Sequence, residues 1–205
     1  MADVTLRAMP DTALGCLALG ASTGGLYALG EFLKALPERI GAPILVTQHL
    51  PDVFMPFFAR QIAAASGRNA CVADEGIPLE PERIVIARGD AHLCLARDGK
   101  TVRVALNRDP ASSGCLPSVD RMFWSVSEIY GRTGLGVVFS GMGRDGLVGS
   151  ARLIDSGGAV LVQNQETSAV WGMPRAVAEA GLASAVLSPP DLARRVAARA
   201  KGVPW

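Results

Sequence analysis

Apolar residues occur in short unbroken runs, separated by stretches in which they recur every three to four positions. Cys16-Leu17-Ala18-Leu19 is the first run, and Leu26, Leu29, Phe32, Leu33 and Leu36 follow it at helical spacing. Ile44-Leu45-Val46 is the second run, set off by Gly41-Ala42-Pro43. Runs with no polar alternation belong to strands covered on both faces. Pro51 and Asp52 open a further helix with Phe54, Phe57, Phe58 and Ile62 expected inward, and Ser66-Gly67 closes it. After a short strand near Cys71-Val72, residues 84–87, 92–96 and 101–106 alternate with turn residues. Asp98-Gly99 joins the last two as a hairpin, so this middle section reads as antiparallel. Residues 107–117 form a polar loop. Ser118 is then placed to cap a helix carrying Val119, Met122, Phe123, Val126 and Ile129 on one face. The βα alternation resumes with a strand over 135–139, a glycine-rich loop over 140–146, a helix over 147–155 and a strand over 159–162. A polar loop to Pro174, a helix from Arg175, a short strand over 185–187 and a helix from Asp191 follow. This order predicts an α/β fold: a doubly wound, mostly parallel sheet in a Rossmann-like three-layer sandwich, with a β-hairpin insertion.

Length and composition narrow the classes. With 205 residues, 49% of them hydrophobic, the chain can bury one sizeable core and is short for two. The formal net charge is +1 and no block of Lys and Arg is present, which argues against a nucleic-acid partner. No apolar run approaches the roughly 18 residues of a membrane span. Met1 to Pro10 lacks the basic head and apolar stretch of a signal peptide, so a cytoplasmic location without membrane insertion is expected. Cys16, Cys71, Cys94 and Cys115 are far apart with no C-x-x-C, so neither a zinc cluster nor a disulfide framework is indicated.

The chemistry starts at Gly20-Ala21-Ser22-Thr23-Gly24-Gly25, a strand-to-helix turn that satisfies G-x-S-x-G and roughly satisfies a glycine-rich dinucleotide turn. A serine there stands at the carboxyl end of a buried strand, facing the free N–H groups and positive dipole end of the next helix. The chain has only two histidines, so a nucleophilic Ser22 takes its general base from His49 or His92. His49 directly follows the second strand, about 4.8 Å from the first, and is preferred. His92 follows Arg88-Gly89-Asp90 and reads as a turn or surface histidine. A neutral imidazole needs an acceptor on its second nitrogen. Asp145, in the glycine-rich loop after a buried strand, is the best candidate, because Asp52 reads as a helix cap and Asp74 and Asp90 fall in the less regular middle section. The order Ser, His, Asp differs from that of an α/β-hydrolase, and Thr47-Gln48-His49 stands where a dinucleotide fold wants an acidic residue.

Six ordered motifs carry a family resemblance: Gly20-Ala21-Ser22-Thr23-Gly24-Gly25, Gln48-His49, Gly89-Asp90-Ala91-His92, Pro117-Ser118-Val119-Asp120, the loop from Ser140 to Gly146, and Gln165 through Pro174. Together they resemble the catalytic domain of the chemotaxis protein-glutamate methylesterases, the CheB family, over about residues 14–190. Residues 1–13 are then an N-terminal extension and 14–200 the catalytic domain. The resemblance implies a triad of Ser22, His49 and Asp145, with oxyanion or substrate-binding roles for Thr23 and the backbone of Met142. It implies no metal and no organic cofactor. It also implies hydrolysis of glutamate γ-methyl esters on the helical cytoplasmic region of methyl-accepting chemotaxis receptors, with deamidation of receptor glutamines as a second activity. Family members usually carry an N-terminal receiver domain, whereas fewer than 20 residues precede the first strand. The expectation is an enzyme indifferent to phosphodonors, with a separate regulatory receiver protein as the partner this leaves room for. Cys115-Leu116 replaces the family's His-Arg at the expected site mouth. Trp171 and Met173 read as core residues or, if exposed, as a docking surface. The rival functions are a small-molecule serine esterase or amidase, and a noncatalytic nucleotide-binding module.

Overall fold

The computed structural model describes residues 5–202. Seven parallel strands form the central sheet in the order β3-β4-β2-β1-β7-β8-β9, with β9 (Ala185–Leu187) at one edge. Four of them matter for the site: β1 (Cys16–Ala21), β2 (Ile44–Gln48), β7 (Gly134–Val138) and β8 (Ala159–Gln163) are each buried along their whole length. Their continuous apolar runs reflect cover on both faces. On one face, α1 (Gly25–Ala35), α2 (Met55–Ser66) and α6 (Pro189–Ala200) pack through Leu29, Phe32, Phe58, Ile62, Leu192 and Val196 onto Leu17, Leu19, Ile44 and Val137. Phe32 and Phe139 meet edge to face at 5.2 Å between centroids, so truncating Phe32 to alanine should cost about 3–5 kcal/mol. On the other face, α3 (Val119–Tyr130), α4 (Leu147–Asp155) and α5 (Met173–Glu179) pack through Met122, Phe123, Leu153 and Val177 onto Cys16, Ala18, Leu45 and Val160. Successive strand residues therefore serve opposite layers.

The middle section departs from the antiparallel expectation. β3 (Ala70–Val72) and β4 (Ile84–Ile86) pair parallel to each other, and β4 pairs parallel to β2. Short three-residue strands carry too little pattern to reveal their direction. β5 (His92–Asp98) and β6 (Thr101–Asn107) form the separate antiparallel hairpin, and Pro78 bridges antiparallel to Arg103 of β6. Phe54 and Phe57 are exposed rather than inward, and Met55, Phe58, Ala59 and Ile62 supply the buried face of α2. The last two helices begin at Met173 and Pro189, two residues before the expected Arg175 and Asp191.

β1 lies at the centre of the sheet, with β2 on one side and β7 on the other. The chain leaves β1 toward β2 and returns to its other side only at β7, so the crossovers diverge at the β1–β7 edge. Sheets of this type bind ligands beyond the strand carboxyl ends at that switch point.

Candidate active site

Ser22 is the first residue past β1. Its N–H donates to Ser140 O at 3.0 Å, and its carbonyl accepts from Gly25 N–H at 2.8 Å and from Gln48 Nε2 at 2.9 Å. The turn is thus tied on one side to the loop after β7 and on the other to the end of β2, and the side chain is left half-buried at the sheet edge. Gly141 sits close beneath it: a Cβ there would stand 2.7 Å from Ser22 Cβ and 2.4 Å from Met173 Sδ. Only glycine permits this approach. Thr23 is exposed, and its carbonyl accepts from Ser140 Oγ at 2.7 Å. Met142, 74% exposed, follows Gly141 at the rim.

His49 is carried to the same edge by β2, whose Gln48 is in register with Ala21, and the His49 N–H donates to Ala21 O at 3.2 Å. Its Nε2 lies 2.8 Å from Asp145 Oδ2. Among the described residues no hydrogen bond joins Ser22 Oγ to His49. The structure therefore joins two of the three expected residues directly and sets the third on the adjoining strand end.

Asp145 is 2% exposed and accepts far more than one bond. Besides His49, Val119 N–H reaches Oδ2 at 2.7 Å, while Ser118 Oγ and Asp120 N–H reach Oδ1 at 2.8 and 3.3 Å. Ser118 occupies the N-cap position of α3 yet makes no side-chain cap there. Asp145 fills that role from across the site, taking the first N–H groups of the helix at its positive dipole end. Gly20 makes the approach possible, since a Cβ on it would meet Val119 Cγ1 at 2.4 Å. Burial on its own would raise the Asp145 pKa; the hydrogen bonds from His49, Val119 and Ser118 outweigh it and bring the carboxyl down to about 2. Asp145 is an anion at neutral pH, so His49 carries its proton on Nε2 and Nδ1 is the basic ring atom.

Two further groups brace this carboxylate, and the sequence reading assigned neither that role. His92 is 1% exposed, not a surface histidine. Ser118 N–H donates to its Nδ1 at 3.0 Å, and its Nε2 donates to Asp109 O at 2.9 Å. Burial lowers its pKa, so it is held neutral in this tautomer. The chain His92, Ser118, Asp145, His49 is continuous. Asp120 is also buried and accepts Gly149 N–H at 2.7 Å. Burial raises its pKa, the Gly149 bond offsets part of this, and the neighbouring Asp145 charge raises it again, to about 6. The motif Pro-Ser-Val-Asp was visible, but nothing local showed that its helix end faces residue 145. Asp52 likewise does not cap a helix: its Oδ1 accepts Gly89 N–H at 3.0 Å and holds the turn before the hairpin.

The loop from Gln163 to Pro174 returns beside Ser140. Gln163 Oε1 accepts Ser140 N–H at 2.8 Å, Gly141 N–H donates to Val170 O at 2.9 Å, and Gly172 and Met173 N–H both donate to Gly141 O. Met173 is fully buried, and Trp171 Nε1 donates to Gln163 O, so this pair is structural and not a docking surface. Exposed apolar side chains flank the site elsewhere: Tyr27 after the serine turn, Val53, Phe54 and Phe57 after His49, Leu116 and Met142.

The family model described as CheB methylesterase matches residues 17–196. A protein-glutamate methylesterase/protein-glutamine glutaminase of Maricaulis maris is 40% identical over 187 residues, covering 91% of this chain and 46% of the relative. The enzyme of the same name from Azospirillum brasilense is 40% identical over 90% of this chain and 48% of its own length. The crystal structure of the Thermotoga maritima CheB methylesterase catalytic domain superposes with a TM-score of 0.87 at 31% identity, covering 91% of this chain and 98% of that one. The chain spans about half the length of the curated relatives it matches.

Proposed function

Since the chain belongs to the CheB methylesterase family, we propose that it hydrolyses glutamate γ-methyl esters on chemoreceptors by serine acyl transfer, with deamidation of receptor glutamines by the same route. The observation that carries the reading is the Asp145 to His49 hydrogen bond of 2.8 Å at the strand end next to Ser22. His49 Nδ1 takes the Ser22 proton as the hydroxyl oxygen attacks the ester carbonyl. The histidinium is stabilised by the Asp145 anion, methanol leaves with that proton, and a water activated by the same nitrogen releases the glutamate. Catalytic hydrogen bonds are commonly long in an unliganded enzyme, so the Ser22 to His49 bond is assigned to the substrate complex. The oxyanion donors are assigned to Thr23, next to Ser22 in the chain, and to the backbone of Met142, next to the Gly141 that approaches Ser22.

The exposed Tyr27, Phe54, Phe57 and Met142 support docking of a helical receptor segment by its apolar positions. No helix among the described residues is long and apolar enough to cross a membrane, and the proposed substrate region is cytoplasmic. Methanol release from a methylated receptor fragment, compared with hydrolysis of a generic aryl ester, is the test. Preference for the receptor fragment is expected. Turnover of the aryl ester alone would instead identify a small-molecule esterase.

A further inference from the structure

Cys115, His49 and Asp145 come from three distant parts of the chain, yet a thiol sulfur, a ring nitrogen and a carboxylate oxygen all lie within 4.8 Å of one another. We propose that this trio binds a borderline-soft divalent cation of the Zn²⁺ type, and that the bound ion reversibly switches the esterase off. The binding half stands on the donor set alone, and the inhibition half rests on the reading of His49 as the base.

The donor chemistry is specific. Zn²⁺ takes Cys sulfur, His nitrogen and carboxylate oxygen, with three protein ligands and a water when the site is open. Donors sharing a tetrahedral zinc sit roughly 3.3–3.6 Å apart. His49 Nε2 and Asp145 Oδ2, at 2.8 Å, need to open by about half an ångström, and the half-buried Cys115 thiol, within 4.8 Å of its partners, to approach by no more than about 1.5 Å. Cys115 is half-buried on the loop after Ser113, and its thiol donates to Ser113 O at 3.8 Å, a weak bond that the sulfur–metal bond would replace. The carboxylate is already oriented by Ser118 Oγ and the N–H groups of Val119 and Asp120, the outer partners a metal-bound carboxylate requires. Thiolate, carboxylate and a divalent ion sum to zero charge, so the cluster is not asked to bury a net charge.

The proton balance explains the inhibition. In the metal-free protein His49 carries its proton on Nε2, toward Asp145. Metal binding at Nε2 moves that proton to Nδ1, and the Cys115 thiol releases its own proton to solvent as the sulfur–metal bond forms. Nδ1 is then an N–H group without a lone pair and cannot accept the Ser22 proton. Serine, histidine and aspartate all remain in place while the base function is removed.

The experiment uses the reduced, chelator-treated chain and its Cys115→Ser and Cys115→Ala variants, each first checked for an unchanged melting temperature. Co²⁺ is titrated as a spectroscopic stand-in for Zn²⁺, and the sulfur-to-cobalt charge-transfer band reports a thiolate ligand. In parallel, Zn²⁺ is titrated against ester hydrolysis, each protein being normalised to its own metal-free rate. A saturable band with one equivalent of Co²⁺ is expected in the parent chain and in neither variant. Losing even an outer partner of a metal site costs about 10–100-fold in affinity, so the variants should need at least about tenfold more Zn²⁺ for half inhibition. A band that persists in the variants, no band in the parent, or a band with no loss of rate would each overturn the proposal. If the metal-free chain turns over no ester, the proposed function fails, and the cobalt band alone decides the site.

Discussion

The turn after β1 and the turn after β7 are both short, rich in glycine and set at the same sheet edge, but they are held in different ways. The first is held through its main chain: Ser22 N–H and C=O are both bonded, and its side chain is left to face the site. The second hides its functional side chain. Asp145 is buried beneath α3 and held by four donors from residues 49, 118, 119 and 120. A nucleophile must keep its side chain free, whereas an orienting carboxylate must lose all freedom except its charge. The two turns therefore fail differently when altered, and that difference can be measured.

The largest effect is expected at the first turn. Ser22→Ala should lower kcat by about 10⁴–10⁶-fold with an unchanged melting temperature, because the backbone bonds that build the turn do not involve the hydroxyl. Single-turnover methanol release reads the rate, and activity near the parent level would refute the serine mechanism. At the second turn, Asp145→Asn should cost about 10⁴-fold in kcat. It should also lower stability, because one amide oxygen cannot satisfy donors on both sides of the group. A melting temperature left unchanged by Asp145→Asn would erase the contrast between the turns.

His92 sharpens the comparison. As a surface histidine it would be dispensable, yet it accepts the buried Ser118 N–H that stands beside Asp145. His92→Ala should destabilise the fold by about 1–3 kcal/mol, the cost of an unpaired buried donor, and His92→Asn should recover part of it through its amide oxygen. Denaturant unfolding of both variants provides the check. Equal stability of the parent, Ala and Asn proteins would show that the brace does not matter.

The smallest effect is a change in pH dependence. The Asp120 carboxyl is raised to about 6 in the folded protein, against about 3.9 for an unfolded aspartate. Its contribution to stability is therefore complete below pH 4 and is lost as the pH rises through 6. Asp145, depressed to about 2, acts in a separate window: its contribution is present above pH 4 and lost as the pH falls toward 2. Melting temperature from pH 4 to 7 should fall less in Asp120→Asn than in the parent chain. Parallel curves would mean that Asp120 is ionised throughout.

The sequence by itself determined the parts whose cause is local. Unbroken apolar runs marked β1, β2, β7 and β8 because a doubly covered strand has no polar face. Glycines marked the two turns, and the scarcity of histidine left His49 as the preferred base. What only the tertiary structure decided depends on residues far apart in the chain. The direction of β3 and β4 is set by which strand they dock beside, and three residues are too few to encode it. The exposure of Phe57 follows from the rotation of α2 on the sheet, since its apolar residues outnumber the positions that face inward, and Phe54 lies in the 3-10 turn that precedes the helix. Most of all, the brace around Asp145 needs α3 to press against β1 at Gly20, a contact between residues about 100 positions apart that no periodicity records.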